Sequence, residues 1–169
     1  MLKKSLFTLC LIVSFAANAQ IQVSKLIGKD SDKFKIGYGA FLEFSYPLSQ
    51  VSDITLEGGF TIFDLKKDTR YGITTIPVKL GYRYIFSDAG YGFYAEPQVG
   101  YNVGGVDAAD KKFTGLVYAV GAGYLFRPSG KIQFNAAILY ESALNSGSAI
   151  NYLSFRLSHN FSFKRRETE

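Results

Sequence analysis

The feature that most constrains this chain is a strict alternation of side-chain character, repeated seven times with a turn after each copy. In the first clear copy, Phe34 to Tyr46, one face carries Phe34, Ile36, Tyr38, Ala40, Leu42, Phe44 and Tyr46. The other carries Lys35, Gly37, Gly39, Phe41, Glu43 and Ser45. Period two belongs to a β-strand and to no helix. The same reading gives Ile54, Leu56, Phe60 and Ile62, and then Ile76, Val78, Leu80, Tyr82, Tyr84 and Phe86. Further copies are Phe93 to Val103, Leu116 to Phe126, Ile132 to Tyr140 and Leu153 to Phe163. The opposite faces hold glycine, hydroxyls, amides and charges, among them Thr55, Glu57, Lys79, Gly81, Arg83, Glu96, Gln98, Asn135 and Arg156.

The connections alternate in length. Pro47 to Ser52, Ser87 to Tyr91 and Pro128-Ser129-Gly130 are short and rich in turn residues. Asp64 to Gly72, Gly104 to Thr114 and Ser142 to Ser148 are longer and polar. Short connections at one end and long ones at the other describe an up-and-down barrel. Seven strands leave an odd edge, and Gln20 to Gly28, with weak alternation at Ile21 and Val23, is the candidate for an eighth. The expectation is an all-β, eight-stranded, antiparallel up-and-down barrel.

Volume decides which face points outward. The interior of an eight-stranded barrel is just wide enough for side chains. The apolar faces carry too many large groups to fit there, whereas the other faces are rich in glycine. Length agrees: a strand of about 13 residues at 3.3 Å, tilted near 45°, rises roughly 30 Å, the thickness of a bilayer core. Tyrosines near strand ends (Tyr46, Tyr84, Tyr101, Tyr140 and Tyr152) are expected to form an interfacial girdle. The barrel is therefore expected to be transmembrane, with its apolar face in lipid. Pro77 and Pro97 fall inside strands and remove ladder donors, so a bulge is expected at each.

Residues 1–19 read as a secretory signal peptide. Lys3 and Lys4 form a basic start, Leu6 to Phe15 an apolar core too short to span a membrane, and Ala17-Asn18-Ala19 a small-x-small cleavage site. Residues 20–163 would then form the barrel, and 164–169 a short charged periplasmic tail. Cleavage removes Cys10, the only cysteine, and lowers the net charge from +5 to +3. The mature chain has no thiol chemistry, and its charge is too small to argue for nucleic acid. No nucleotide loop, HExxH, CxxC or GxSxG motif occurs, so no cofactor, metal or catalytic residue is expected and the protein is read as not an enzyme. His159, the single histidine, is followed by Asn160 and Phe161, with Ser162 one place too late for a His-x-Ser pair.

The inward charges are the informative set: Glu43, Glu57, Lys79, Arg83, Glu96 and Arg156. Pairing Phe63 with Ile73 across their hairpin places Glu57 opposite Lys79, and across the 87–91 turn Arg83 faces Tyr94 or Glu96. These groups can line an ion path or cross-link a closed lumen, and a barrel this narrow favours the second.

The segments IPVKLGYRY (76–84), AEPQVGY (95–101), GAGYLF (121–126) and LSHNFSF (157–163) resemble the small outer-membrane β-barrel proteins common in Bacteroidetes, of the OmpX and OmpW type. The resemblance implies an outer-membrane location. The closing Phe161-x-Phe163 looks like the terminal signal read by the barrel-assembly machinery, although here KRRETE follows it. The leading expectation is a non-enzymatic, monomeric outer-membrane barrel, structural or acting through its long loops, with outer-membrane lipid as its surroundings. A narrow porin-like channel is the alternative, and a soluble lipocalin-like binding barrel the third reading.

Overall fold

The computed structural model describes residues 18–28, 31–66, 72–106, 112–129, 132–145 and 148–161. They form eight strands: β1 (Asn18–Ile27), β2 (Gly37–Pro47), β3 (Ser52–Asp64), β4 (Gly72–Ile85), β5 (Gly92–Val106), β6 (Gly115–Ser129), β7 (Ile132–Asn145) and β8 (Ser148–Phe161). Every neighbour in sequence is a neighbour in the sheet, and β1 closes on β8 in an all-antiparallel barrel. The eighth strand is thus β1. It pairs with β2 through Gln20↔Phe41 and with β8 through Gln22↔Arg156, although Lys25 interrupts its apolar alternation. Backbone ladders need no apolar side chains, so a strand can close a sheet without showing a clean pattern.

The expected faces hold along most of the wall. Ile21, Val23, Leu56, Val78, Leu80, Val99, Val120, Ile138 and Phe155 all point outward and are exposed, while Glu43, Thr55, Glu57, Lys79, Arg83, Glu96 and Arg156 are buried in the lumen. Tyr46, Tyr84, Tyr101 and Tyr140 are exposed on the outer face. Tyr152 is not: it is fully buried, edge-on to Phe63 at 5.3 Å. Leu153 and Phe155 point outward, so the residue before them must point inward, and no bulge intervenes to reverse it.

Phe34 also departs from expectation. It lies outside β2, 8% exposed, and bridges Leu65 beyond the end of β3. A 3-10 turn over Ser31–Lys33 brings the chain in from β1, so the sheet register begins only at Gly37. Two connections are shorter than expected. β6 continues through Pro128 to Ser129, with a register shift between Phe126 and Ser129, and β7 and β8 extend until two residues separate them. At the end where β7 meets β8, the longer connections are the ones after β1, β3 and β5.

Of the two interior prolines, only Pro77 carries a register shift, between Ile76 and Pro77. There Asn102 Oδ1 accepts the Ile76 N–H at 2.6 Å, a side chain standing in for a ladder acceptor. Pro97 stays in register with Val120 on β6, and pairing with β4 passes from Gly81↔Gln98 to Tyr84↔Ala95 without a shift. The expected bulge at Pro97 is absent: the missing N–H is absorbed by a gap in pairing rather than an extra residue.

The lumen is layered. At the end of the longer connections Leu26, Phe34, Phe63, Ile73 and Tyr152 form an apolar cluster, joined through Ile150 to Phe113, Val117 and Ala143. Phe113 belongs to the connection after β5. Its carbonyl accepts from Asn102 Nδ2 at 2.6 Å, and its N–H donates to the Gly105 carbonyl. At the opposite end Ile85, Tyr94, Leu125, Ala137 and Leu139 make a second cluster. The charged residues lie between the two.

Candidate functional site

The middle of the lumen is a network of charges drawn from six strands. Glu43 comes from β2, Glu57 from β3, Lys79 and Arg83 from β4, Glu96 from β5, Glu141 from β7 and Arg156 from β8. Inward parity places each of them, because the side-chain period is two and one face of every strand meets the lumen. Glu43 and Glu57 are direct cross-strand partners, a like-charge pair that destabilises unless cations intervene.

Two groups of cations intervene. Arg83 bridges Glu43 at 2.9 Å and Glu96 at 2.7 Å, with its guanidinium over the Tyr94 ring at 4.8 Å. Arg83 therefore meets both of the partners that the 87–91 turn suggested for it. Lys79 forms an ion pair with Glu57, its cross-strand partner, at 3.0 Å and donates a hydrogen bond to Glu141. Arg156 pairs with Glu57 and lies 3.5 Å from Glu141. Phe41, only 2% exposed, underlies this second group, with Arg156 and Lys79 at 4.7 and 5.4 Å from its ring centre. Its ring packs against Gly59, where a Cβ would come within 2.5 Å of a ring carbon.

Glu141 is the member that sequence reasoning did not place among the site residues. It is fully buried and accepts from Ser154 Oγ at 2.9 Å. Its signal is legible in the sequence: Glu141 shares the polar face of its strand with Gln133 and Asn135, one place past the last apolar residue of that copy, Tyr140. With Glu141 the network holds four carboxylates against three cations. Neutral donors serve the carboxylates as well: Gln20 donates to Glu43, Thr55 to Glu96 at 2.6 Å and Gln98 to Glu96 at 3.0 Å. Gln22 Oε1 accepts from Arg156, and Tyr94 donates to Asn135 at 2.9 Å.

Burying an ion pair gives little net stability, but removing one partner is costly because the other charge is left without compensation. The space among these side chains is small. The cavity bounded by Glu43, Arg83, Tyr94, Glu96, Asn135 and Arg156 measures about 10 Å³, roughly the room of one water. The arrangement can lock strands to one another. It leaves no width for a hydrated ion at that level.

A double-mutant cycle tests the coupling. Glu57→Ala strands Lys79 and Arg156 with only Glu141 between them. Adding Lys79→Ala restores a balanced Glu141–Arg156 pair. The two changes should be coupled by at least about 1 kcal/mol in urea unfolding of the detergent-solubilised barrel. Additive losses would show that the pair does not act as a unit.

The remaining sequence candidates are not brought together. His159 packs edge-on against Phe134 at 5.0 Å on the outer face, whereas Ser158 is buried in the lumen. Phe161 closes β8. Phe163, Ser162, the 164–169 tail and residues 1–17 lie outside the described residues.

No protein-family model matches the chain, and no curated protein matches it in sequence. Solved structures do match. Neisserial surface protein A (NspA) superposes with a TM-score of 0.63 at 13% identity, over 85% of this chain and 92% of that one. The attachment invasion locus protein Ail of Yersinia pestis gives 0.55 at 12% identity, over 86% and 96%. Ail in complex with the heparin analogue sucrose octasulfate gives 0.53. The chain has the fold of the small eight-stranded outer-membrane barrels. At these identities the likeness concerns fold, and the charges in the lumen are argued from this chain alone.

Proposed function

We propose that this protein is an integral outer-membrane barrel without enzymatic activity, monomeric, acting structurally or through the longer connections at one end. The observation that carries this reading is the inversion of its two faces. A soluble barrel hides its apolar face and shows its charges. Here Ile54, Leu80, Val99, Tyr118 and Phe155 face outward, while Lys79, Arg83, Arg156 and four glutamates are buried. Lysine and glutamate are almost never fully buried unless paired, and large apolar belts are exposed only where something apolar covers them. A bilayer is the solvent that fits both faces.

The reading extends to export and assembly. Residues 1–19 act as a signal peptide. Cleavage after Ala19 keeps Gln20, which donates to Glu43 inside the lumen. The mature chain belongs with the OmpX/OmpW-like barrels of Bacteroidetes, and the barrel-assembly machinery reads its closing strand near Phe161 and Phe163.

Between a closed barrel and a narrow channel, the packing favours closure: paired charges fill the middle and an apolar cluster stands at each end. Protein reconstituted in planar bilayers should show no sustained single-channel openings, while the same preparation runs faster on an unheated gel than on a boiled one. Stable ion-selective openings would move the pore reading to first place. A preparation lacking the gel shift would instead count against the barrel in membranes.

A further inference from the structure

Among the described outward positions on the eight strands, Lys25 is the one lysine. It stands on β1 between Val23 and Ile27 and across from Leu153 of β8, all three exposed and apolar. A lysine costs about 2–4 kcal/mol at the midplane of a lipid-facing barrel wall and close to nothing near the interface. Lys25 is two residues from the end of β1, on the side of the longer connections. From there its stem can lie along the wall while the ammonium reaches the headgroup layer.

More cations gather above it. The segment after the 3-10 turn folds back on the end of β3: Lys35 N–H donates to the Asp64 carbonyl at 2.8 Å, and Lys66 N–H to the Lys33 carbonyl at 2.9 Å. Phe34, bridging Leu65 between them, turns into the apolar cluster that caps the lumen. With Phe34 turned inward, Lys33 and Lys35 stand exposed, as does Lys66. Among the described residues of that sector of the rim, over β1 to β3, Lys25, Lys33, Lys35 and Lys66 therefore stand against Asp32 and Asp64. At the opposite end the described turns 48–51 and 86–91 carry a single charge, Asp88.

We propose that this sector binds phosphate-bearing lipid headgroups of the outer leaflet. The inference rests on the membrane-barrel reading above. A soluble polyanion could meet Lys33, Lys35 and Lys66. Lys25, however, stands on the surface that acyl chains cover, beside Val23, Ile27 and Leu153. Only a ligand with acyl chains of its own sets a phosphate beside both Lys25 and the rim, with its chains along that apolar wall. Positive charge near a membrane surface is drawn to anionic lipid, and the attraction is additive over neighbouring residues at low ionic strength.

The test uses the full mature chain in detergent micelles, titrated with diphosphorylated lipid A and with its dephosphorylated form. Wild type should bind the phosphorylated lipid at least about tenfold more tightly. The Lys25→Gln/Lys35→Gln/Lys66→Gln variant should lose that discrimination, and Lys112→Gln, in a different connection, should keep it. Inorganic polyphosphate at equal phosphate concentration should compete poorly with the lipid. Retained discrimination in the triple variant overturns the proposal. So does full competition by polyphosphate, which would assign the lysines to a soluble polyanion. The unheated-gel shift, read on every sample, separates the two levels. Its absence from wild type sinks the membrane barrel itself, whereas its presence without lipid discrimination sinks only the lipid site.

Discussion

Replacing Arg83 with methionine should destabilise the folded barrel by about 3–5 kcal/mol, the cost of leaving buried charge without a partner. Arg83 is the cation between Glu43 and Glu96, at 2.9 and 2.7 Å. Glu43 already faces Glu57 across the strands, so losing Arg83 leaves three carboxylates close together. The nearest remaining cations, Lys79 and Arg156, are held by Glu57 and Glu141. Thr55, Gln98 and Gln20 donate hydrogen bonds to the stranded carboxylates but bring no charge. Urea unfolding in micelles, followed by the loss of the fast-running band on unheated gels, measures the effect. Adding Glu43→Gln and Glu96→Gln should recover most of it, because neutral amides replace both uncompensated charges. A single variant within about 1 kcal/mol of wild type would mean that the network is solvated and not part of the core.

The register of this barrel was legible because period two leaves little freedom. Once Phe63 faces Ile73, every later pair of that hairpin follows, including Glu57 opposite Lys79. Composition misleads where it competes with parity. Tyr152 has the composition of a girdle residue, a tyrosine near a strand end, yet Leu153 and Phe155 fix its direction as inward. Phe34 fits the alternation of β2 by spacing alone, but the backbone leaves the sheet before it reaches Phe34. Glu141 has inward parity in the sequence, but its cation partners Lys79 and Arg156 stand on β4 and β8, and Lys79 is no strand neighbour of β7, so pairwise register alone does not bring it into the network.

What periodicity lacked altogether was depth. It tells which way a side chain points and not how far along the barrel it sits. Phe41, Phe63, Ile73, Ile85 and Leu125 share the inward register with the charges. Only the closed barrel shows that Phe63 and Ile73 cap one end and Ile85 and Leu125 the other. That layering is what turns a list of inward charges into a plugged lumen. Each apolar end keeps water from the ion pairs, and lower polarity strengthens every one of them.

Leu80→Arg carries the second large expectation, and it tests the outer face as Arg83 tests the inner one. Leu80 lies near the middle of β4, 54% exposed, with Val78 and Tyr82 beside it on the same face. Its cross-strand partners are Leu56 on β3 and Val99 on β5, so an apolar row surrounds it on both sides. In water, a half-exposed leucine replaced by arginine changes stability by about 0.5 kcal/mol at most. At the midplane of a bilayer the same change costs about 2–4 kcal/mol, because the guanidinium has no water and no carboxylate within reach. Leu48, equally exposed but in the turn between β2 and β3, is the matched control, and Leu48→Arg should cost no more than about 1 kcal/mol. Unfolding measured in phospholipid bilayers should therefore separate the two variants by at least about 1 kcal/mol. Equal tolerance would mean that the belt around Leu80 meets water or another protein surface. A large loss at Leu80 alone requires hydrocarbon there, since no contact within the folded chain explains why an exposed site should reject charge.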